Sequence, residues 1–307
     1  MVKKKTAKKP TTTRTARPQG PTARRRPANR RWRRAVPWRR VMGALLVLGL
    51  IAVALLGRAR WEVATTTLTT TSHATSELSG ELRVAQVTDF HNIPRYAQVR
   101  EIVALVRDSD PHVIALTGDL INTSNRTLEP VRWLLRGLSE IGVPMYFVDG
   151  NHDHWSDDQQ RLHGILEQFG VQRLSNEHRG LSGEWGQLTL IGVDDYFSGH
   201  GDLAAAVDGA PDGFRFVLTH SPEILPHLDR HGIDYAICGH THGGQIRLPF
   251  IGAIYQPHRQ FFPKVSKGGY TDGAATLFVD SGVGVTGPKL RFLNQSQVTL
   301  HRIGPAR

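Results

Sequence analysis

Seven short apolar runs, each closing on polar residues or glycine, constrain this chain more than any other feature. They are Leu82–Val87, Val113–Thr117, Met145–Val148, Leu188–Val193, Phe214–Leu218, Tyr235–Cys238 and Ala275–Val279. Runs this short, rich in Val, Ile, Leu and Phe, suit strands buried on both faces. Between them, Tyr96–Arg107, Leu128–Ile141 and Asp157–Phe169 place apolar residues three and four apart, the spacing of an amphipathic helix. The alternation predicts a single α/β domain over residues 81–304, with no internal repeat. The one cysteine, Cys238, sits inside an apolar run, so no intramolecular disulfide is possible and a buried core position is expected.

Open α/β sheets place ligands beyond the carboxyl ends of their strands, and the polar residues of this chain gather there. Asp89 and His91 follow the first run; Gly118, Asp119 and Asn122 the second; Gly150, Asn151, His152 and Asp153 the third. His220 follows Phe214–Leu218, and Gly239, His240, Thr241 and His242 follow Tyr235–Cys238. Singly these patterns are weak: Asp-x-His is common, Gly-Asp is a frequent turn, and a lone histidine is more often a satisfied hydrogen bonder than a ligand. Together they offer carboxylate, imidazole and amide oxygen without thiolate, a donor set suited to Mn²⁺, Fe²⁺ or Zn²⁺. Asp89, His91, Asp119, Asn151, His220, His240 and His242 are too many for one tetrahedral ion and suit two that share a bridge. Paired cations acidify a bridging water, supply a hydroxide nucleophile and offset charge on phosphate oxygens.

The ordered series DFH, GDLIN, GNHD, TH and GHTHGGQ resembles the calcineurin-like metallophosphoesterase superfamily, and GHTHGGQIRLP is similar to its small bacterial, membrane-associated or exported branch. The motifs run from Asp89 to Pro249. The resemblance implies a four-layer αββα sandwich of two mixed sheets and hydrolysis of phosphate mono- or diesters. It implies Asp89, His91 and His242 as ligands of one metal, Asn151, His220 and His240 as ligands of a second, and Asp119 as the bridge. It further implies that His152 contacts the phosphate and acts as general acid, and that Asp153 orients His152. Two departures stand out. Asn122 occupies a position often filled by Asp, and a Pro-containing segment implied near Asn294–Gln297 is missing.

Ahead of this domain the composition changes abruptly. Of the 38 Lys/Arg, 16 fall in residues 1–40, which hold no Asp or Glu; the other 22 face 27 acidic residues, a net of −5. Basicity thus belongs to a tail expected to be disordered and cytoplasmic, and a nucleic-acid partner is not expected for the domain. Val41–Gly57 is uncharged, and its 17 residues make about 26 Å of helix, close to a bilayer's hydrocarbon core. It is expected to be a retained single-pass anchor placing the domain outside the cytoplasm of a cell-membrane protein. Arg39-Arg40 keeps open the alternative of a twin-arginine export signal. Residues 58–80, including Thr65–Gly80, are expected to form a linker.

Around the main set, Asp194, Asp195 and His200 are expected either to border the substrate pocket or to cap a helix before Leu203. Gly243 and Gly244 allow close backbone approach beside Gln245. Arg247 either meets an anionic substrate or lies at the surface. His154, His163, His178, His227, His231, His258 and His301 are assigned surface or capping roles. The expected protein is therefore a monomeric phosphoesterase with two divalent ions, acting on phosphate esters such as lipid-linked or cell-envelope ones. The rivals are a non-catalytic envelope-tethered binding protein on the same scaffold and a nuclease.

Overall fold

The computed structural model describes residues 37–257, 260–287 and 289–306. Most of the basic tail and His258 lie outside the described residues. The chain divides after Leu48, and the packing below concerns residues 49–307. In order, the elements are α1 (Trp38–Ala64), β1 (Thr66–Ala74), β2 (Leu82–Val87), α2 (Tyr96–Asp108), β3 (Val113–Thr117), α3 (Glu129–Ser139), β4 (Met145–Val148), α4 (Asn151–His154), α5 (Gln159–Gln168) and β5 (Gln172–Arg173). There follow β6 (Glu177–Gly183), β7 (Gly186–Gly192), α6 (Leu203–Val207), β8 (Arg215–Leu218), β9 (Tyr235–Cys238), β10 (Ile246–Leu248), β11 (Gly252–Gln256), β12 (Gln260–Phe261), β13 (Gly268–Asp272), β14 (Ala275–Val279) and β15 (Ser296–Gly304).

Two mixed six-stranded sheets, ordered β1-β15-β2-β3-β4-β5 and β13-β14-β9-β8-β7-β6, carry the domain. The side-chain period of two explains their layering. In β2, β3 and β4, Leu82, Val84, Val113, Ala115, Tyr146 and Val148 face one way, into a core shared with Leu190, Phe216, Leu218 and Ile237 of the other sheet. Their neighbours Ala85, Val87, Ile114, Leu116 and Phe147 face the opposite way, onto α2, α3 and α5. The second sheet mirrors this, with Ile191, Val217, Ala236, Cys238 and Val279 packed beneath α6 and the short 3₁₀ turns after β8. The result is the four-layer αββα sandwich that the resemblance implies.

Five of the seven expected strands have the bounds read from the sequence, and the other two, Leu188–Val193 and Phe214–Leu218, are displaced by one or two residues. Corrections concern the margins. Thr66–Ala74, expected to be linker, is an edge strand running parallel to β15, with Thr66 opposite Ser296. Threonine is β-branched and tolerates a half-exposed strand, so a polar stretch can pair along its whole length. The helix read as Val41–Gly57 extends to Trp38–Ala64, and its apolar window is fully exposed. Its last turn joins the domain: Glu62 is buried, receives the Arg58 guanidinium at 2.6 Å and accepts the Asn294 amide at 3.0 Å.

Candidate metal centre

The strand ends converge because their loops hydrogen-bond to one another. The amides of Asp89, His91 and Asn92 donate to the carbonyls of Gly118, Asp119 and Leu120, and the Gly239 amide donates to the His220 carbonyl. Asp89, His91, Asn92, Asp119, His240 and His242 all have φ between 47° and 69°. Non-glycine residues seldom adopt this left-handed backbone, and such strain concentrates at functional sites. Gly150 approaches so closely that a Cβ there would strike the Asp119 carboxylate. In this region only glycine permits the β4 loop to sit against Asp119.

All seven expected ligand residues are brought together, each buried. Their arrangement has two halves. His91 Nε2 and His242 Nε2 lie 3.1 Å apart, and Asp89 Oδ1 is 3.5 Å from His242 Nε2. His240 Nδ1 is 2.8 Å from Asn151 Oδ1 and 3.3 Å from His220 Nε2. Asp119 Oδ2 stands between the halves, 3.6 Å from His91 Nε2 and 3.3 Å from His220 Nε2. Compact donor trios recur here: Asp89 with His91 and His242, Asp89 with Asp119 and His220, and His91 with Asp119 and His152.

Tautomers decide what this convergence means. His220 Nδ1 lies 2.8 Å from the Thr117 carbonyl and His242 Nδ1 lies 3.3 Å from the Gly284 carbonyl. A carbonyl only accepts, so each Nδ1 carries a hydrogen and each ring aims its Nε2 inward, as a bare lone pair when the ring is neutral. Those lone pairs meet carboxylate oxygens and another ring nitrogen, which is repulsive unless a proton or a cation lies among them. Burial pushes His91 down to about 3 and His242 well below its ordinary value, so both are neutral near pH 7. Burial also opposes charge on His220, yet the adjacent Asp119 outweighs it and raises the imidazole well above its usual range. Asp89 is raised to about 7, chiefly by burial.

Cations fit this donor set. Metal–nitrogen bonds of about 2.0–2.1 Å put two ligands of one ion roughly 3 Å apart, close to the His91–His242 separation. Ligating histidines characteristically donate their other N–H to a backbone carbonyl, as His220 and His242 do. The amide side chain of Asn122 donates to the His91 carbonyl at 2.8 Å, which an ionised Asp could not do.

His152 stands half-buried at the edge of the cluster, its ring edge-on to His91 with centroids 4.9 Å apart. Its amide donates to Asp119 Oδ1 at 2.8 Å, and Thr123 Oγ1 lies 3.4 Å from its Nδ1. The Asp153 carboxylate accepts the amides of Asp119 (2.7 Å), Gly150 (2.9 Å) and Ile121 (3.1 Å), so it pins two site loops together.

The flanking residues also fall into place. Asp194 accepts His154 Nε2 at 2.6 Å, and the cap of α6 belongs to Asp202, not to Asp194, Asp195 or His200. Phe197, in the same loop, packs against the His240 ring, centroids 4.5 Å apart. Arg247 donates to the Gly243 carbonyl at 2.8 Å, a structural role. His301, expected at the surface, is fully buried.

Sequence reasoning missed the strap behind the site. The fully buried Arg291 donates to the carbonyls of Ser281 (2.6 Å), Gly282 (2.9 Å) and Gly284 (2.6 Å). Asn294 Nδ2 donates to the His242 carbonyl at 2.7 Å. A basic and an amide residue just past the glycine-rich stretch Gly282–Gly287 were the only signal available.

The profile of the calcineurin-like phosphoesterase family matches residues 82–244. The metallophosphoesterase YkoQ of Bacillus subtilis is 30% identical over 227 residues, covering 73% of this chain and 84% of its own. A transmembrane protein with a metallophosphoesterase domain from Bos taurus is 29% identical over 255 residues, covering 73% of this chain and 56% of its own. Among solved structures, a dimetal phosphatase from Danio rerio aligns over 67% of this chain and 89% of its own, with 13% identity and a TM-score of 0.42.

Proposed function

From the premise that the chain belongs to the calcineurin-like phosphoesterase family, we propose that it is a metal-dependent phosphoesterase that holds two divalent cations and hydrolyses phosphate mono- or diesters at a membrane surface. One observation carries the dinuclear reading: the ring nitrogens of two histidine pairs, His91 with His242 and His220 with His240, converge with Asp119 Oδ2 set between them. Asp89, His91 and His242 would hold one ion, Asn151, His220 and His240 the other, and Asp119 would touch both. Bound there, Mn²⁺, Fe²⁺ or Zn²⁺ would acidify a coordinated water and offset charge on phosphate oxygens.

The chain's own groups do the rest. His152, at the edge of the donor cluster, is placed to reach a phosphate oxygen and give a proton to the leaving alkoxide. Asp153 holds the Asp119 and Asn151 loops in register. The Thr117 and Gly284 carbonyls fix the ring tautomers of His220 and His242. Phe197 walls the side of His240. The non-catalytic alternative gains nothing from this site, since no member of the donor set is missing.

Residues Trp38–Ala64 support a membrane anchor, as does similarity to transmembrane relatives. With the basic tail on the cytoplasmic side, the catalytic domain would lie outside the cytoplasm. No nucleic-acid partner is proposed, because a basic tail beside an apolar helix matches anionic lipid headgroups better. The test is hydrolysis of an aryl phosphate monoester and a diester by the full chain, before and after exhaustive chelation. Activity should vanish with the metal and return with Mn²⁺, Fe²⁺ or Zn²⁺. Turnover untouched by metal removal would refute the proposal.

A further inference from the structure

Next to the candidate metal centre, the chain makes a small separate sheet, β10-β11-β12, whose tips are apolar and open to solvent. Phe250 is fully exposed, and Ile251, Phe261 and Phe262 remain 61%, 68% and 67% exposed. Leu293 adds a fifth apolar side chain, and its neighbour Phe292 exchanges backbone hydrogen bonds with Gln245 and Arg247. Phe250 and Phe262 have φ of 65° and 51°, a backbone that bulky side chains rarely adopt. Burial supplies no return for that strain, which makes these aromatics unlike core residues and marks them as candidates for contact with a partner.

Charge around the patch points to the partner. From Gly243 to Thr271 the chain has four Lys/Arg and no Asp or Glu, although residues 41–307 as a whole carry more acid than base. Lys264, two residues after Phe262, and Lys289 are exposed. The anchor helix is fastened at the same place: Asn294, adjacent to Leu293, gives its amide to Glu62 in the last turn of α1. Trp61, an interfacial residue type, is exposed beside Glu62. Exposed aromatics with basic neighbours, tied to the end of an apolar helix, match an anionic lipid surface.

We propose that the tips of the β10–β12 sheet, with Leu293, dock into the interface of an anionic lipid bilayer, as a second membrane contact beside α1. This inference rests on α1 being a membrane anchor. Docking would hold the loop carrying His240 and His242 at headgroup level, because His242, Gly243 and Gly244 lead straight into β10.

The native cysteine is buried, so the full-length Phe250→Cys variant can be labelled selectively with an environment-sensitive fluorophore and reconstituted into vesicles of phosphatidylcholine and phosphatidylglycerol. A Glu167→Cys label, on the exposed face of α5, is the control. With a nitroxide at a shallow acyl position, the 250 label should lose most of its emission and the 167 label almost none. Omitting phosphatidylglycerol should weaken the quenching. Equal, weak quenching at both positions in vesicles that carry the protein on flotation overturns the docking surface and spares the anchor. Protein that fails to float with the vesicles overturns both. A blue-shifted 250 label that nitroxide does not quench would mean that a protein or a second copy covers the patch, and overturns lipid docking.

Discussion

Two buried polar clusters lie in this domain, and they differ in how their hydrogens are shared. In the deeper one, the Tyr235 hydroxyl donates to His301 Nδ1 at 2.8 Å and His301 Nε2 donates to Gln86 Oε1 at 2.9 Å. Gln86 Nε2 passes on to Thr117 Oγ1 at 2.8 Å and the Cys238 carbonyl at 3.0 Å. Nearby, Asp280 accepts from Thr299, from Gln297 Nε2 at 3.1 Å and from the Gly282 amide at 2.6 Å. Donors there face acceptors. At the strand ends, potential ligand atoms crowd one another instead: His242 Nε2 lies 3.1 Å from His91 Nε2, and Asp119 Oδ2 lies within 3.6 Å of both His91 Nε2 and His220 Nε2. Burial alone therefore does not mark a functional site. The mark is convergence of acceptors that only an electrophile can reconcile.

Substitutions in the two clusters should separate function from stability. The largest effect is expected for Asp119→Ala, which should remove both cation occupancy, read by elemental analysis, and turnover; retained metal with full activity would break the distinction. His152→Ala should keep the cations and lose roughly 10²–10⁴-fold in rate, most of all for esters with poor leaving groups. In the deeper cluster, His301→Leu should leave Tyr235 and Gln86 each short of a partner, costing about 1–3 kcal/mol per group in denaturant unfolding. Its turnover per folded molecule should be unchanged.

A smaller, pH-dependent effect should sharpen the same contrast. Burial depresses His301 to about 3, far below the ordinary value of 6.5. A group with a lowered folded pKa stabilises the fold fully above about pH 6.5 and loses that contribution as pH falls toward 3. The slope is about 1.4 kcal/mol for each pH unit in that window. The stability gap between the native chain and His301→Leu should thus narrow on acidification from pH 7 to 5. A constant gap would mean that the buried imidazole does not resist protonation.

The sequence made the central strands and the site legible for a shared reason. Buried strands such as Val113–Thr117 are written in uninterrupted apolar residues, and polar residues at their ends stand out against them. The margins lack that contrast. In β15, Ser296, Gln297, Thr299 and His301 are all polar and all buried; Gln297, Thr299 and His301 serve the deeper network instead of an apolar face, and Ser296 bonds Thr66 and the Val283 carbonyl. β1 is mostly threonine and reads as linker until its pairing with β15 is known. Asp153 has the residue type and position of a partner for His152, yet which donors reach its carboxylate depends on how two loops fold together. Arg291 acts by closing a loop onto the Ser281, Gly282 and Gly284 carbonyls and Asn294 by reaching the His242 carbonyl 52 residues away, which no periodic pattern encodes.

The direct test is metal stoichiometry on the full-length protein, purified without chelator and reconstituted with Mn²⁺, in parallel with Asp119→Ala and His301→Leu. Two ions per native chain, two in His301→Leu and a marked loss in Asp119→Ala are expected. A native chain that binds no divalent ion, or that keeps its full complement without Asp119, would contradict the assignment of the converging lone pairs to a pair of cations.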